Sequence, residues 1–285
     1  MTALAAALLL VLELAVAGAL AGLLLAFALG RAALAVLAAF RRRPRPIPLA
    51  DAALPALAVI VPTLDEAARI DARLDDLARS DYPRERLRVL VADGGSRDGT
   101  LACVQARAAQ DARLRLLALP ASRSKSEQIA EALAVIPEEF ALVTDADAAL
   151  APDTIRRLVE ALVADPRLGA AGAWIEPDTP LVEERVHWTL VNRLWRLEGD
   201  ALGAALFSGV CYALRTKAVD GIDPEARADD AHLALALAGQ GWRVRLVHAA
   251  HHLDADHRRQ VFLAPVLFAR SRHLRTRHGR QDRHR

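Results

Sequence analysis

The sequence is short of several residue types, and each shortage narrows the reading. Only two lysines, Lys125 and Lys217, stand among 37 basic residues, and Met1 and Asn192 are the only methionine and the only asparagine. So many Ala and Arg beside so few Lys, Met and Asn is the bias of a GC-rich genome. Arginine counts therefore carry little weight, and a retained lysine carries more. The two cysteines, Cys103 and Cys211, lie far apart and in no metal-type or redox-type spacing. They read as buried free thiols that pack like small hydrophobes. Net charge is also scarce, at +2 over 285 residues. A chain that is 53% hydrophobic and 25% charged is neither disordered nor collagen-like.

The +2 is a cancellation. Residues 1–40 are net neutral, residues 41–45 carry +4, residues 258–285 carry +8, and the body, 46–257, carries −10. An acidic body between two basic ends calls for a reason. Residues 3–30 are almost wholly apolar, broken only by Glu13, and apolar residues resume from Ala32 to Phe40 after Arg31. That is enough to cross about 30 Å of hydrocarbon as a helix. A secretory signal has a positive start and a shorter apolar run, which this segment lacks. The cluster Arg41-Arg42-Arg43-Pro44-Arg45 follows directly, and Lys/Arg excess marks the cytoplasmic side. The expectation is a single-pass anchor in the inner or plasma membrane with the body in the cytoplasm. Four parts result: an anchor (1–40), an Arg/Pro-rich linker (41–56), a globular domain (57–257) and an apolar then basic tail (258–285).

From Leu57 the pattern alternates. Short apolar runs at 57–61, 87–92, 114–119 and 140–144 read as strands. Helical spacings fall at 66–79, 101–109 and 127–135. Such alternation predicts an α/β domain with a mostly parallel central sheet flanked by helices. Ligands of such sheets bind outside the carboxyl ends of the strands, so the residues just after each strand are the informative ones. After the first run come Thr63, Asp65 and Glu66. After the second come Asp93, Gly94 and a turn running to Thr100. After the fourth come Asp145 and Asp147. Several carboxylates gathered at one edge are costly unless neutralised, and a bound divalent cation would do it. Asp145 and Asp147 are two apart, so in extended backbone both point to one side. Together they suit Mg2+ or Mn2+ that also bridges substrate phosphates. Asp98 or Thr100 is placed to cap the next helix.

Taken in order, VPTLDEA, VADGGSRDGT and VTDADA resemble the nucleotide-sugar half of family 2 glycosyltransferases, which have the GT-A fold. Ser208-Gly209-Val210-Cys211-Tyr212-Ala213-Leu214-Arg215 is similar to that family's acceptor-side segment. Asp229-Asp230, the apolar stretch after it and Gly241-Trp242-Arg243-Val244 are similar to its segment around the base. The resemblance covers about Leu57 to Val247. It implies a nucleotide-sugar donor, probed by Thr63, Asp65, Glu66, Asp93, Gly94, Lys125 and Asp145. It implies metal ligation by Asp145 and Asp147, and a general base at Asp230. Ser208, Gly209, Asp229 and Trp174 fall on the acceptor side. The family's first motif usually reads Asn-Glu, where this chain has Asp65-Glu66.

An inverting transfer of one sugar is expected. Arg258-Arg259-Gln260-Val261-Phe262 lacks the RW of processive relatives. A lipid or lipid-linked glycan is the expected acceptor, with UDP the expected carrier. Trp188 and Trp195, seven apart, share a face of a helix at about 183–198, for core packing or for meeting membrane or sugar. His248 or His251 is the histidine to look for beside the diphosphate. Val261–Ala269 and the basic tail read as an interfacial segment drawn to anionic lipid. No nucleic-acid motif accompanies the acidic body. The readings set against transfer are a catalytically silent nucleotide-binding scaffold on the same fold and a nucleotidyltransferase. The latter would need a glycine-rich basic loop where DEAAR stands.

Overall fold

The structure, a computed structural model, describes residues 3–41, 44, 46–119, 124–177, 179–220 and 230–253. The tail and Asp229 lie outside those residues. One long helix, α1 (Ala3–Phe40), comes first, followed by β1 (Leu57–Thr63), α2 (Ile70–Ala78), β2 (Leu87–Asp93), α3 (Thr100–Ala108), β3 (Leu114–Ala118), α4 (Lys125–Val135) and β4 (Phe140–Thr144). Then come β5 (Ala148–Leu150), α5 (Thr154–Ala164), β6 (Leu168–Pro177), α6 (Val182–Leu202), β7 (Cys211–Arg215), α7 (Asp230–Gly239) and β8 (Arg243–Leu253).

All eight strands join one sheet in the order β3-β2-β1-β4-β7-β6-β8-β5. The β3-β2-β1-β4 half is wholly parallel, as alternating strands and helices require. Beyond β4 the sheet is mixed. β7 lies antiparallel to both β4 and β6, β5 is antiparallel to β8, and β6 and β8 are parallel. Four of the seven strand pairings are parallel, in keeping with the mostly parallel sheet expected.

Period-2 alternation gives the sheet two buried faces. Val59, Val61, Val89, Val91, Leu142 and Ala213 face one side, packed under Ile70, Leu74 and Leu77 of α2, Val104 of α3, and Ile155, Leu158 and Leu162 of α5. Ile60, Ala92, Ala141, Val143, Tyr212 and Leu214 face the other, under Ile129 and Leu133 of α4 and Leu233 and Leu237 of α7. The helices keep the spacing that such faces need. In α5 the buried positions Ile155, Leu158, Val159 and Leu162 form one stripe. α4 opens with a capping residue, since the Ser124 side chain accepts from the Glu127 amide. The sole asparagine, Asn192 on α6, is fully buried. It accepts from the Ile175 amide at 3.2 Å and donates to the Ile175 carbonyl at 2.7 Å. It thereby ties α6 to β6.

Within α1, Val11–Phe40 is long and apolar enough to cross a membrane, and its most apolar stretch is not buried in the protein. α1 packs against α6, and Arg31, Leu34, Leu37 and Ala38 are its partly covered residues. The second half of the linker is attached to the domain. Leu54 is fully buried, the Leu49 amide donates to Glu160 at 2.9 Å, and Tyr82 donates to the Pro55 carbonyl at 2.6 Å.

Candidate active site

The loops after β1 and β2 lie side by side because β1 and β2 pair in register through Thr63 and Asp93. Asp93 is 1% exposed, and its carboxylate points inward. Oδ1 accepts from the Gly95 and Ser96 amides, both at 2.9 Å. Oδ2 accepts from the Ser96 hydroxyl and, at 3.2 Å, from the Thr63 hydroxyl. An ionised carboxylate offers about four lone-pair positions, and here the loop itself takes them. Asp93 and Thr63 therefore organise this edge from beneath.

The first loop is fastened to the second. Asp65 is the only non-glycine residue with positive φ among the described residues, at 57°. Left-handed backbone costs an L-residue roughly 1–2 kcal/mol, and Asp and Asn tolerate it best. That gives a physical reason for either Asp or Asn at this position. The strained turn is held at both ends: the Asp65 amide donates to Ser96 Oγ at 2.8 Å, and Asp65 Oδ1 accepts from the Arg97 amide at 2.7 Å. The Glu66 amide donates to Thr100 Oγ1 at 2.9 Å, and the Ala67 amide to Asp98 at 2.9 Å. Asp98 also accepts from the Thr100 amide at 3.0 Å, while the N-cap position of α3 is Gly99, which has no side chain to cap with. These fastenings use residues 64–69 as loop, which is why α2 begins at Ile70, later than its apolar spacing predicts. Gly94 is crowded: a Cβ there would sit 2.1 Å from Nε2 of buried Gln128 on α4.

Asp145 and Asp147 follow β4, both partly buried, on either side of buried Ala146. The Glu66 carboxyl stands close enough that its pKa is raised, first by burial, then by the charges of Asp147 and Asp145. Three carboxylates thus share one edge of the sheet, as the sequence order implies. Lys125, the first residue of α4, forms an ion pair with Asp145 and donates to the Gly209 carbonyl at 3.4 Å. The Gly209 amide donates to Asp230 Oδ2 at 2.8 Å, and the Asp145 amide to the Val210 carbonyl at 3.0 Å. The Ser208–Val210 loop therefore joins the Asp145 end of β4 to the Asp230 end of α7. Ser208 braces that loop by accepting from the Val210 amide at 3.4 Å. Beneath it Tyr212 is 1% exposed, with its ring centroid 5.0 Å from that of Phe207 and its hydroxyl unpartnered. Burial, then the charges of Asp145 and Asp230, push that phenol's pKa up.

Among the described residues no group of three His, Cys, Asp or Glu side chains is arranged to hold a metal alone. Two aspartates with a third carboxylate in electrostatic reach nonetheless fit a hard cation, one held by one or two carboxylates and completed by substrate phosphates. The donor set is all oxygen, and a divalent charge would offset the mutual repulsion that Glu66 registers.

The remaining expected residues lie elsewhere. Trp174 packs on the second core layer and tilts over His248, with ring centroids 5.0 Å apart. Trp188 and Trp195 share a face as expected, packed against Ile175 and Val210. His251 is in β8 and pairs with Leu150 of β5. The sequence reading did not single out Gln128, Ser96, Tyr212 as an individual residue, or Arg73. Arg73 left a visible signal: a charge inside the Ile70–Leu74–Leu77 apolar stripe.

Residues 58–221, more than half of the chain, match the family model described as "Glycosyl transferase family 2". The chain belongs to glycosyltransferase family 2. It is similar to an N-acetylglucosaminyltransferase of Rhizobium meliloti (strain 1021), 29% identical over 70% of this chain and 51% of that protein. It is also similar to putative cellulose synthase 2 of Komagataeibacter xylinus, 28% identical over 71% of this chain and 14% of that protein. The chain thus spans about half or much less of the curated relatives it matches. Among solved structures it is similar to the mannosyltransferase PcManGT of Pyrobaculum calidifontis, in complex with GDP-Man and Mn2+. The TM-score there is 0.65, with 28% identity over 79% of this chain and 63% of that one. A glucosyl-3-phosphoglycerate synthase of Mycobacterium tuberculosis matches at TM-score 0.51 and 18% identity, covering 72% of this chain and 73% of that one. The fold of this family 2 chain is the GT-A fold.

Proposed function

We propose that this chain transfers one sugar from a nucleotide-sugar donor to a hydroxyl acceptor, inverting at the anomeric carbon, beside a membrane that α1 crosses. The observation that carries the reading is the meeting of Lys125, Asp145 and Asp230 at the Ser208–Val210 loop, with Glu66 in electrostatic reach of Asp145 and Asp147. Support also comes from PcManGT, a fold match solved with GDP-Man and Mn2+.

In this reading Asp145 and Asp147 hold Mg2+ or Mn2+ against the donor diphosphate. The ion, when bound, stabilises negative charge growing on the leaving group. The laced loops after β1 and β2 present backbone and the exposed side of Asp65 to the nucleoside. Lys125, from the start of α4, exchanges its Asp145 contact for diphosphate oxygens. Asp230 accepts the proton of the acceptor hydroxyl, a step worth about 10²–10⁴-fold. Its two internal hydrogen bonds, from the Gly209 and Ala231 amides, fix its direction and leave lone pairs for that proton. Ser208 and Gly209 flank the acceptor. A membrane-borne acceptor, a lipid or lipid-linked glycan, suits a domain packed against the cytoplasmic end of α1. The Arg41–Arg45 cluster orients that helix, and UDP is the carrier to test first.

Asp230→Asn tests the assignment. Sugar transfer should fall at least 100-fold with unchanged thermal unfolding. A folded variant that transfers sugar at the native rate would remove Asp230 from the reaction.

A further inference from the structure

A buried cation lies behind the carboxylate edge. Arg73 occupies the inward face of α2 with Ile70, Leu74 and Leu77. Its side chain has no exposed surface, and Nη2 donates to Asp76 Oδ2 at 2.8 Å. Nη1 donates to Thr144 Oγ1 at 3.3 Å, and Nε is buried without a partner. Thr144 is fully buried, ends β4 and immediately precedes Asp145. Across the sheet it pairs with Cys211. Burial pushes the Cys211 thiol up to about 12, and Arg73 and Asp145 act on it with opposite sign. The guanidinium therefore reaches Thr144, the residue directly before Asp145.

The fold gains little from this charge. Burying an ion costs several kcal/mol, and well-packed apolar replacements of buried ion pairs are often neutral or stabilising. Nor does Asp76 need Arg73, because it also pairs with Arg79 at the surface. What the buried guanidinium does reach, through Nη1, is Thr144 at the end of β4.

We propose that Arg73 is a positioning residue for the metal-holding turn: by gripping Thr144 it fixes the end of β4, and its buried positive charge keeps the Asp145–Asp147 pair convergent. This rests on the reading of Asp145 and Asp147 as the metal-holding pair. Residues that orient carboxylate ligands from behind typically change metal affinity or activity by about 10–100-fold when replaced.

The test is a Mn2+ titration of the full chain in detergent, followed by the EPR signal of free Mn2+, with UDP and with GDP in parallel. Thermal unfolding of the metal-free protein is recorded beside it. Arg73→Met should unfold no lower than the native chain yet bind Mn2+ about 10–100-fold more weakly. Thr144→Val should weaken binding in the same direction by less. The double variant should bind no more weakly than Arg73→Met, because the two act through one contact. A folded Arg73→Met with native Mn2+ affinity overturns the proposal. Should Arg73→Met fail to fold, Thr144→Val decides: native affinity there overturns the proposal too, and weakened affinity supports it. Asp147→Asn separates the two readings. If it loses Mn2+ while Arg73→Met does not, only the role of Arg73 fails. If it binds Mn2+ as the native chain does, the metal reading fails and takes the proposal with it.

Discussion

Replacing Asp93 asks whether the second motif is primarily a scaffold. In Asp93→Ala the Gly95 and Ser96 amides and the Ser96 and Thr63 hydroxyls lose their acceptor. Gly95 is half-exposed and water can reach it, whereas Ser96 and Thr63 are buried. Each buried polar group left unsatisfied costs about 1–3 kcal/mol. The Thr63 hydroxyl can turn to the Ala92 carbonyl at 3.5 Å, so the Ser96 amide and hydroxyl are the two groups left, and with the lost charge-assisted bonds they give roughly 4 kcal/mol. In Asp93→Asn the amide oxygen can keep the two N–H bonds while its NH2 faces the two hydroxyls, so the cost should be about 1–2 kcal/mol. For a domain of this size about 2–4 °C of Tm follows each kcal/mol. Asp93→Ala should therefore unfold about 8–16 °C lower and Asp93→Asn only a few degrees lower. Intrinsic tryptophan fluorescence during heating of the detergent-solubilised chain reads both. A native Tm for Asp93→Ala would refute the scaffold account. Lost nucleotide release in that stable variant would mark Asp93 as a ligand contact.

Two further substitutions probe the same edge. Tyr212→Phe removes a buried hydroxyl that has no partner, so stability to thermal unfolding should rise by about 1 kcal/mol; a fall would mean the hydroxyl is satisfied in solution. Glu66 has a raised pKa in the folded chain. Its contribution to stability is therefore fully present below the unfolded carboxyl range and is lost as pH rises through the raised folded value. In metal-free protein Glu66→Gln should accordingly gain stability relative to the native chain from acid toward neutral pH. A pH series of unfolding midpoints with a constant difference would contradict that.

Much of this site was legible from the sequence because the carboxylates follow apolar strands directly. Asp65, Glu66, Asp145 and Asp147 had to reach the same sheet edge once 57–63 and 140–144 became neighbouring parallel strands. Lys125 stood out against an arginine background. What the sequence hid were directions. Asp93 turns inward, where its carboxylate accepts from the Gly95 and Ser96 amides of the glycine turn after it. Gln128 and Tyr212 meet the site from elements distant in sequence. β5 and β8 pair across more than a hundred residues, which no local periodicity encodes. The linker's prolines favour extended backbone, yet Leu54 is buried because long-range contacts of Tyr82, Glu160 and Arg86 hold its second half.

The central claim is that converging carboxylates hold a divalent ion for a nucleotide-sugar donor. A donor screen with Mn2+, Mg2+ or EDTA, scored by nucleotide release from the full chain, tests it directly. Release from at least one donor is predicted, abolished by EDTA and by Asp147→Asn. Release that is indifferent to EDTA, or none with any donor when lipid and glycan acceptors are supplied, would contradict the account.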